Sequence, residues 1–253
     1  MDKEGFYMEL IFKQQFQVTT AAVDCFGRLK PSMLLYYCQE VAGNHCIQLG
    51  TDYDSMAAKD MFWAIIRQKV QINRLPMVGE TITVETWPMP TTRVAYPRSM
   101  VAYDADGNEL FRSISLWVLI NGESRAMVLP GKSGVDVTGT LKGTELASPR
   151  SLAPAAAGHT ERRTVTYSCL DRNGHMNNPR YLDWVGDLLP SQFYSSHSAR
   201  EFLSCYLSEA MEGPQIHLNW DLSADGCLQV DAHREASVPG EKLTRVFSAQ
   251  VLF

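Results

Sequence analysis

"MLLYYCQEVAGNHCIQL", residues 33–49, is the stretch that decides the fold. We expect it to form an α-helix that is apolar on most of its faces. Its apolar positions are Leu34, Leu35, Cys38, Val41, Ala42 and Cys46. A surface helix carries apolar residues on one stripe only, so a helix of this kind belongs inside the protein. The rest of the chain must therefore surround it.

Short similarities recur at a large spacing along the chain, as expected if one domain occurs twice. Asp24, which precedes the first helix, corresponds to Asp171 at a spacing of 147 residues. Residues 76–87 (PMVGETITVETW) resemble residues 210–220 (AMEGPQIHLNW) at a spacing of 134, and the Asp-Gly pair at 106 recurs at 225, a spacing of 119. The few identities are weak evidence alone, and the matching order of the elements is stronger.

Predicted strands flank the helix in the same order in both halves. In the first half they are FKQQFQVTT and residues 62–74, 80–88, 94–104 and 109–120. In the second half they are ERRTVTYSCL and residues 200–209, 214–222, 227–235 and 243–253. Asp-Gly pairs between strands indicate hairpins. An antiparallel sheet wrapped around one buried helix is a hotdog fold, so we predict an α+β tandem (double) hotdog whose halves pack as a pseudo-dimer.

A segment rich in Gly, Pro, Ser, Thr and Ala lies between the two copies. It has no sustained apolar period, which is typical of a linker on the surface. We therefore predict an N-terminal hotdog over residues 1–130, a linker over 131–160 and a C-terminal hotdog over 161–253.

Composition excludes several classes of protein. The formal net charge of −5 provides no overall basic field for nucleic acid. No apolar stretch is long enough to span a membrane, and the N-terminus does not resemble a signal peptide. The six cysteines form no C-x-x-C pair, and no His/Cys/carboxylate group has the spacing of metal ligands, so we expect neither a metal nor a cofactor. Unpaired cysteines favour a cytoplasmic location.

The polar stretch LDRNGHMNNPRYLDW, residues 170–184, precedes the second helix. Asn178 is expected as the helix N-cap, Pro179 as the first helical residue and Pro190 as the stop. Asn173 and His175 would then lie ahead of a helix N-terminus, where free N–H groups and the helix dipole can stabilise an oxyanion.

The two copies differ at these positions. Phe26 and Arg28 of the first half occupy the places of Asn173 and His175. A turn is needed in both halves, but only the second half has the polar set. A purely structural explanation would predict similar residues in both, so the difference favours an active site in the second half.

The motif D-R-N-G-H-M-N-N-P-R-Y resembles the Asp-x-Asn-x-His-x-Asn-Asn signature of acyl-acyl carrier protein (acyl-ACP) thioesterases of plant plastids and bacteria. The resemblance covers nearly the whole chain and includes FWAIIRQKVQI from residue 62, SLWVLI from 115 and YLSEAMEG from 206. It implies hydrolysis of the thioester of fatty acyl-ACP. The catalytic residues implied are Asp171, Asn173, His175 and Glu209.

Two features limit this reading of the motif. Plant members of the family carry Cys directly after the catalytic Glu, whereas this chain has Ala210, which excludes a cysteine nucleophile at that position. Asp171 has a counterpart in Asp24, so at least part of its role is to hold the turn. Asn177 and Asn178 are expected to be structural, and Glu209 rests on the resemblance alone.

Substrate contacts are less specific in the sequence. Met33, Tyr37 and Trp63 fill either a core or the wall of an acyl tunnel in the first half, and composition does not separate the two. The implied partner, acyl carrier protein, is acidic, so basic residues are expected to form a docking patch, although each alone suits a solvated surface. The candidates are Arg28, Lys30, Arg180 and, within the polar stretch itself, Arg172.

Two other functions stay open at this point. One is a hotdog thioesterase that acts on acyl-CoA, and the other is a non-catalytic lipid-binding protein with a relic site. Acyl chain length is not given by the sequence. The oligomeric state also stays open, a homodimer included.

Overall fold

The computed structural model of the chain describes residues 10–155, 158–235 and 242–253. Residues 1–9 of the predicted first half, 156–157 of the predicted linker and 236–241 of the predicted second half lie outside the described residues. The helix expected at residues 33–49 is α1, Pro31–Gln48. Pro31 suits its first turn, and Gly50, whose φ is 63°, follows its C-terminus in the left-handed conformation that glycine adopts without strain.

The first half is an antiparallel sheet around α1. Its strands are β1 (Phe12–Gln17), β2 (Met61–Ile72), β3 (Thr81–Pro88), β4 (Tyr96–Tyr103), β5 (Glu109–Asn121) and the short β6 (Met127–Val128). They lie in the order β1-β3-β4-β5-β2, with β6 paired to β5. Two short helices, α2 (Tyr53–Ala57) and α3 (Pro130–Ser133), complete this half.

The second half repeats this arrangement. Its elements are β7 (His159–Thr164), α4 (Asn178–Gly186), α5 (Ser191–Tyr194), β8 (Glu201–Tyr206), β9 (Gln215–Leu222), β10 (Cys227–Arg234) and β11 (Thr244–Leu252). The strand order β7-β9-β10-β11-β8 is that of the first half with each strand replaced by its counterpart. The prediction of a tandem hotdog is confirmed.

The halves join through one pair of strands. β2 and β8 pair antiparallel, with Val70 opposite Phe202, so the eleven strands of the described residues form one continuous sheet. Lys69 and Glu201 form an ion pair at 2.9 Å beside this seam. Residues from both halves also belong to a single hydrophobic core, and α1 packs against α4. No helix in the described part of the chain has the length and apolarity needed to cross a membrane.

The second helix differs from its prediction at both ends. Its N-cap residue is Asn177, not Asn178, and the Asn177 side chain makes no capping hydrogen bond. The helix ends at Gly186, four residues before Pro190. Glycine has low helix propensity, and the next turn tightens, with the Leu188 N–H donating to the Val185 carbonyl at 3.3 Å. Leu188 and Leu189, which follow the end of the helix, are nevertheless buried.

The shared core generates a prediction about stability. Phe202 is 1% exposed at the seam, so Phe202→Ala should lower the free energy of unfolding by about 3–5 kcal/mol. Because one core crosses the seam, wild type and variant should each unfold in a single denaturant transition, monitored by tryptophan fluorescence and circular dichroism together. Two separate transitions would show that the halves are independent.

Candidate active site

The turn before each helix has the same geometry in both halves. Asp24 Oδ1 accepts hydrogen bonds from the N–H groups of Phe26 and Arg28, both at 2.9 Å. Asp171 Oδ1 accepts from the N–H groups of Asn173 at 2.8 Å and His175 at 3.3 Å. A glycine with a left-handed φ, 77° at position 27 and 75° at 174, makes each turn possible. Asp171 therefore holds the turn on which Asn173 and His175 are presented.

His175 and Glu209 meet at the centre of the candidate site. His175 Nε2 lies 3.4 Å from Glu209 Oε2, slightly longer than a good hydrogen bond. The His175 side chain is 16% exposed and that of Glu209 is 42% exposed, so the pair is open to solvent on the Glu209 side. The contact brings together a turn and a loop that are more than thirty residues apart in sequence.

Backbone contacts hold these two segments side by side. Glu209 lies in the loop that follows β8, and the Met176 N–H donates to the carbonyl of the buried Ala210 at 2.7 Å. His175 also forms an isolated antiparallel bridge with Met211. These main-chain contacts keep the His175 turn beside the loop that carries Glu209.

The half-buried Tyr206 also ties β8 to the start of α4. The Tyr206 hydroxyl donates to the carbonyl of Asn178 at 3.4 Å. Burial raises the pKa of the Tyr206 phenol, so this group remains a neutral donor. The helix that follows the polar turn is thus fastened to the strand that leads to Glu209.

Arg125 is a component of the site that sequence reasoning missed. It belongs to the first half, in the turn between β5 and β6, and its Nη2 donates to Glu209 Oε1. The Arg125 guanidinium also lies over the Phe62 ring, 4.8 Å from its centroid. Its φ is 58°, in the left-handed region that non-glycine residues rarely adopt. The local sequence GESRAMV, residues 122–128, does not indicate that Arg125 belongs to the site, because its partner Glu209 is 84 residues away.

The Glu209 main chain is held as well. Arg234 of β10 donates from Nη1 to the Glu209 carbonyl at 2.7 Å. Each arginine therefore restrains a different part of the same residue. Together with His175, they leave the Glu209 carboxylate with a defined direction.

A cavity of about 440 Å³ connects the polar turn with the first half. Asp171, Asn173, Asn177 and Asn178 lie on one side of it, and α1 lies on another. Its aromatic lining comes mostly from the first-half sheet: Phe62, Trp63, Tyr96 and Trp117. A volume of this size suits a ligand as large as an acyl chain. His175 and Glu209 do not line the cavity, although His175 shares the Asp171 turn with Asn173, which does.

The three residues predicted to bind the acyl chain lie in two different places, one at the cavity and two against the core. Trp63 lines the cavity, and its indole N–H donates to the Thr51 carbonyl at 2.7 Å. Met33 and Tyr37 do not line it. They pack against the main core, where the Tyr37 ring stacks on Phe16 with centroids 4.6 Å apart.

Three of the four residues predicted to form a docking patch line a different cavity, of about 670 Å³, beside α4: Arg28, Lys30 and Arg180. This cavity is the counterpart of the first one, since it contains the Asp24 turn of the first half. Arg28 is engaged by Asp24 at 3.0 Å and by the Tyr194 carbonyl at 2.8 Å.

Arg180 pairs with Asp183 at 3.1 Å. Burial raises the pKa of the neighbouring Tyr36, and the positive charge of Arg180 offsets part of that rise. The fourth candidate, Arg172, lines the 440 Å³ cavity, where it pairs with Asp54 at 2.9 Å and stacks on Tyr53 at 3.8 Å. Among the described residues, no group of His, Cys, Asp and Glu is arranged to hold a metal ion.

Family models match both halves of the chain. Residues 9–129 match the acyl-ACP thioesterase N-terminal domain, and residues 153–247 match the acyl-ACP thioesterase C-terminal domain. The chain belongs to the acyl-ACP thioesterase family. The resemblance carried by residues 171–181 is thereby confirmed.

Relatives of this acyl-ACP thioesterase family member include plant enzymes. It is 27% identical over 206 residues to a chloroplastic palmitoyl-acyl carrier protein thioesterase of Gossypium hirsutum, covering 74% of this chain and 49% of the relative. It is 25% identical over 218 residues to a chloroplastic dodecanoyl-[acyl-carrier-protein] hydrolase of Cinnamomum camphora, covering 79% and 56%. The chain thus spans about half the length of the curated relatives it matches.

Solved structures of family members match over almost the full length. An acyl-ACP thioesterase from Bacteroides thetaiotaomicron VPI-5482 superposes with a TM-score of 0.86 at 25% identity, covering 96% of this chain and 97% of that one. The 12:0-ACP thioesterase from Umbellularia californica has a TM-score of 0.80 at 22% identity, with 96% of each chain covered. The second likeness supports the fold.

The Asp24 turn of the first half leads to a first prediction about the site. Phe26→Ala and Arg28→Ala should leave the single-turnover rate of thioester hydrolysis within about 3-fold of wild type, because both residues lie at the second cavity or the turn beside it. Arg28→Ala should lower the melting temperature, since Arg28 ties the first turn to Tyr194. Loss of hydrolysis in either variant with substrate bound would show that both turns take part in the chemistry.

Arg125 leads to a second prediction. Arg125→Asn should lower kcat about 10-fold or more while KM and the melting temperature stay near wild type, because only the direction of the Glu209 carboxylate is lost. Asn suits this test since it tolerates a left-handed φ better than most residues. Arg125→Lys should recover part of the rate. A fall in melting temperature that accounts for the lost activity would assign Arg125 a purely structural role.

Proposed function

We propose that this chain hydrolyses the thioester of fatty acyl-ACP and releases a free fatty acid and holo-ACP. The proposal is supported above all by the His175–Glu209 contact at 3.4 Å, because His175 shares one turn with Asn173, and Asn173 lines the 440 Å³ cavity. A polar turn on one side of an aromatic cavity suits a substrate with one reactive polar end and a long apolar tail. Membership of the family favours the same substrate class.

The roles of the residues follow from their positions. Asn173 and His175 polarise the thioester carbonyl through their side chains. Glu209 accepts a proton from the attacking water as general base. Asp171 positions both polar residues through the turn. Ala210 stands beside Glu209 and offers no nucleophile, which favours attack by water.

The reaction needs no group beyond these side chains and water. The water oxygen bonds to the carbonyl carbon, and the resulting oxyanion is stabilised at the Asn173–His175 turn. The oxyanion then collapses, the C–S bond breaks, and the sulfur leaves with the bonding electrons. A proton returns to the sulfur, which gives a thiol on the phosphopantetheine arm and a carboxylic acid.

The carrier protein is proposed to dock at the mouth of the catalytic cavity. Arg172 is the favoured contact, because its side chain is 66% exposed and it stands on the polar turn itself. Lys30 and Arg180 line the 670 Å³ cavity instead and are secondary candidates for contact with the carrier protein. The six cysteines are all free in the structure, which supports a reducing compartment such as the cytoplasm.

The catalytic assignment predicts the effects of two substitutions. His175→Ala and Glu209→Gln should each lower kcat on acyl-ACP by about 10²–10⁴, the usual contribution of one positioned acid–base or polarising group. Steady-state release of holo-ACP measures the rate, and circular dichroism confirms the fold. Near-wild-type turnover by either folded variant would remove that residue from the mechanism.

The docking assignment predicts a difference between two substrates of equal acyl length. Arg172→Glu should raise KM for acyl-ACP at least about 5-fold more than KM for acyl-CoA, because only the carrier protein presents an extended acidic surface. Lys30→Glu with Arg180→Glu serves as the comparison and should have a smaller effect. Added salt should weaken wild-type binding of acyl-ACP through screening, whose length is about 10 Å at 0.1 M.

Two outcomes would favour another function. Equal effects on both substrates, together with faster turnover of acyl-CoA, would identify an acyl-CoA thioesterase. Tight binding of fatty acid without hydrolysis of any acyl thioester would identify a lipid-binding protein.

A further inference from the structure

Arg98 is a buried arginine in the wall of the catalytic cavity. It lies on β4, is 7% exposed and lines the cavity together with Cys46 of α1. Buried arginines usually face a carboxylate, because moving a charge out of water without a counter-charge is strongly unfavourable. The partners of this side chain therefore decide what it does.

The partners of the Arg98 guanidinium among the described residues include no carboxylate. Its Nη1 contacts His45 Nδ1 at 3.1 Å and donates to Thr86 Oγ1 at 3.2 Å. Its Nη2 donates to Cys46 Sγ at 3.6 Å, where sulfur is a weak acceptor. A guanidinium has five N–H donors, so these contacts leave donors for a further acceptor. Burial lowers the pKa of Arg98, yet arginine remains protonated in proteins.

The acidic residues of the cavity do not supply the missing counter-charge. Four of them line the cavity and each has another partner: Glu40 accepts from Asn44, Asp52 from Ser55, Asp54 from Arg172 and Asp171 from the backbone of its own turn. The cavity therefore presents a buried positive group without a matching negative one.

Arg98 lies far from the reacting end of the cavity. Phe62, which contacts Arg125, pairs with Ile120 of β5, whereas Arg98 pairs with Ser115 of the same strand. Five residues of strand correspond to about 16 Å. A chain bound with its thioester at Asn173 would thus reach Arg98 with its distal part.

We propose that Arg98 is a specificity-determining residue that binds an oxygen acceptor, a carboxylate or a hydroxyl group, on the acyl chain at a distance from the thioester. The inference rests on the proposed function and narrows its substrate class to oxygenated acyl chains. A guanidinium matches such a group because its planar fork donates two parallel hydrogen bonds to a carboxylate. A terminal methyl group leaves those donors unsatisfied, and a buried donor without an acceptor lowers affinity.

The test compares acyl-ACP substrates of equal chain length that end in a methyl, a hydroxyl or a carboxyl group. For wild type, kcat/KM should be about 10- to 100-fold higher for an oxygenated chain than for the methyl chain, the usual value of a charge-assisted hydrogen bond. The hydroxyl and carboxyl substrates distinguish the two sources of the acceptor. Arg98→Met should remove this preference, and the methyl chain should become the better substrate.

Two further variants control the experiment. Arg98→Lys keeps the charge without the fork and should retain part of the preference, which also covers failure of Arg98→Met to fold. Arg93→Met removes an exposed arginine from the β3–β4 connection and should behave as wild type. A wild-type preference for the methyl chain that is unchanged in Arg98→Met or Arg98→Lys would overturn the inference while leaving the thioesterase function intact.

A binding measurement separates the inference from the proposed function. Calorimetry on the intact chain with free monocarboxylic and dicarboxylic acids of equal length requires no turnover. The dicarboxylic acid should bind about 10-fold or more tightly to wild type, and Arg98→Met should abolish the difference. Equal binding of the two acids by wild type would contradict the role of Arg98. Absence of hydrolysis with all acyl-ACP substrates would contradict the proposed function alone.

Discussion

The pairing of β2 with β8 is the constraint on which the rest of the structure depends. It joins two similar sheets edge to edge and brings α1 and α4 together across the seam. Through this pairing, the β5–β6 turn of the first half reaches the loop after β8 in the second. Neither half alone would bring Arg125 to Glu209, or the aromatic cavity to the Asn173 turn. The candidate site is therefore a property of the joined chain.

The two halves show how one local structure has been used for two purposes. The Asp24 turn and the Asp171 turn form the same hydrogen bonds, and each is followed by a helix. In the first half, the Arg28 side chain is used in a contact to the Tyr194 carbonyl that stabilises the fold. In the second half, the corresponding His175 is directed at Glu209. Because the turn is held by Asp and Gly in both, the residues between them were free to diverge.

Most of the fold could be predicted from the sequence, because apolar alternation and turn residues are local signals. All ten strands of the predicted order occur, and each half has the same order as the other. The second helix was predicted too long, since buried Leu188 and Leu189 continue the apolar pattern past the end at Gly186. The apolar pattern of the sequence thus predicts which side chains are buried better than it predicts where a helix ends.

The candidate site could be predicted only in part. Asp171, Asn173 and His175 share one turn, so the local sequence brings them together, whereas Glu209 depended on a family resemblance. Arg125 and the position of the cavity depend on contacts between distant segments, which no local pattern reports. For the same reason, Met33 and Tyr37 could not be distinguished from cavity residues, and both pack in the core.

A double-mutant cycle between Arg125 and Glu209 is the most direct measurement of a site built across the two halves. The quantity is the single-turnover rate of acyl-ACP hydrolysis for wild type, Arg125→Asn, Glu209→Gln and the double variant. If Arg125 acts through the Glu209 carboxylate, its substitution should change the rate less than about 2-fold once Glu209 is Gln, because residues that act as a unit are not additive. An equal loss of rate from Arg125→Asn in both backgrounds would contradict the account.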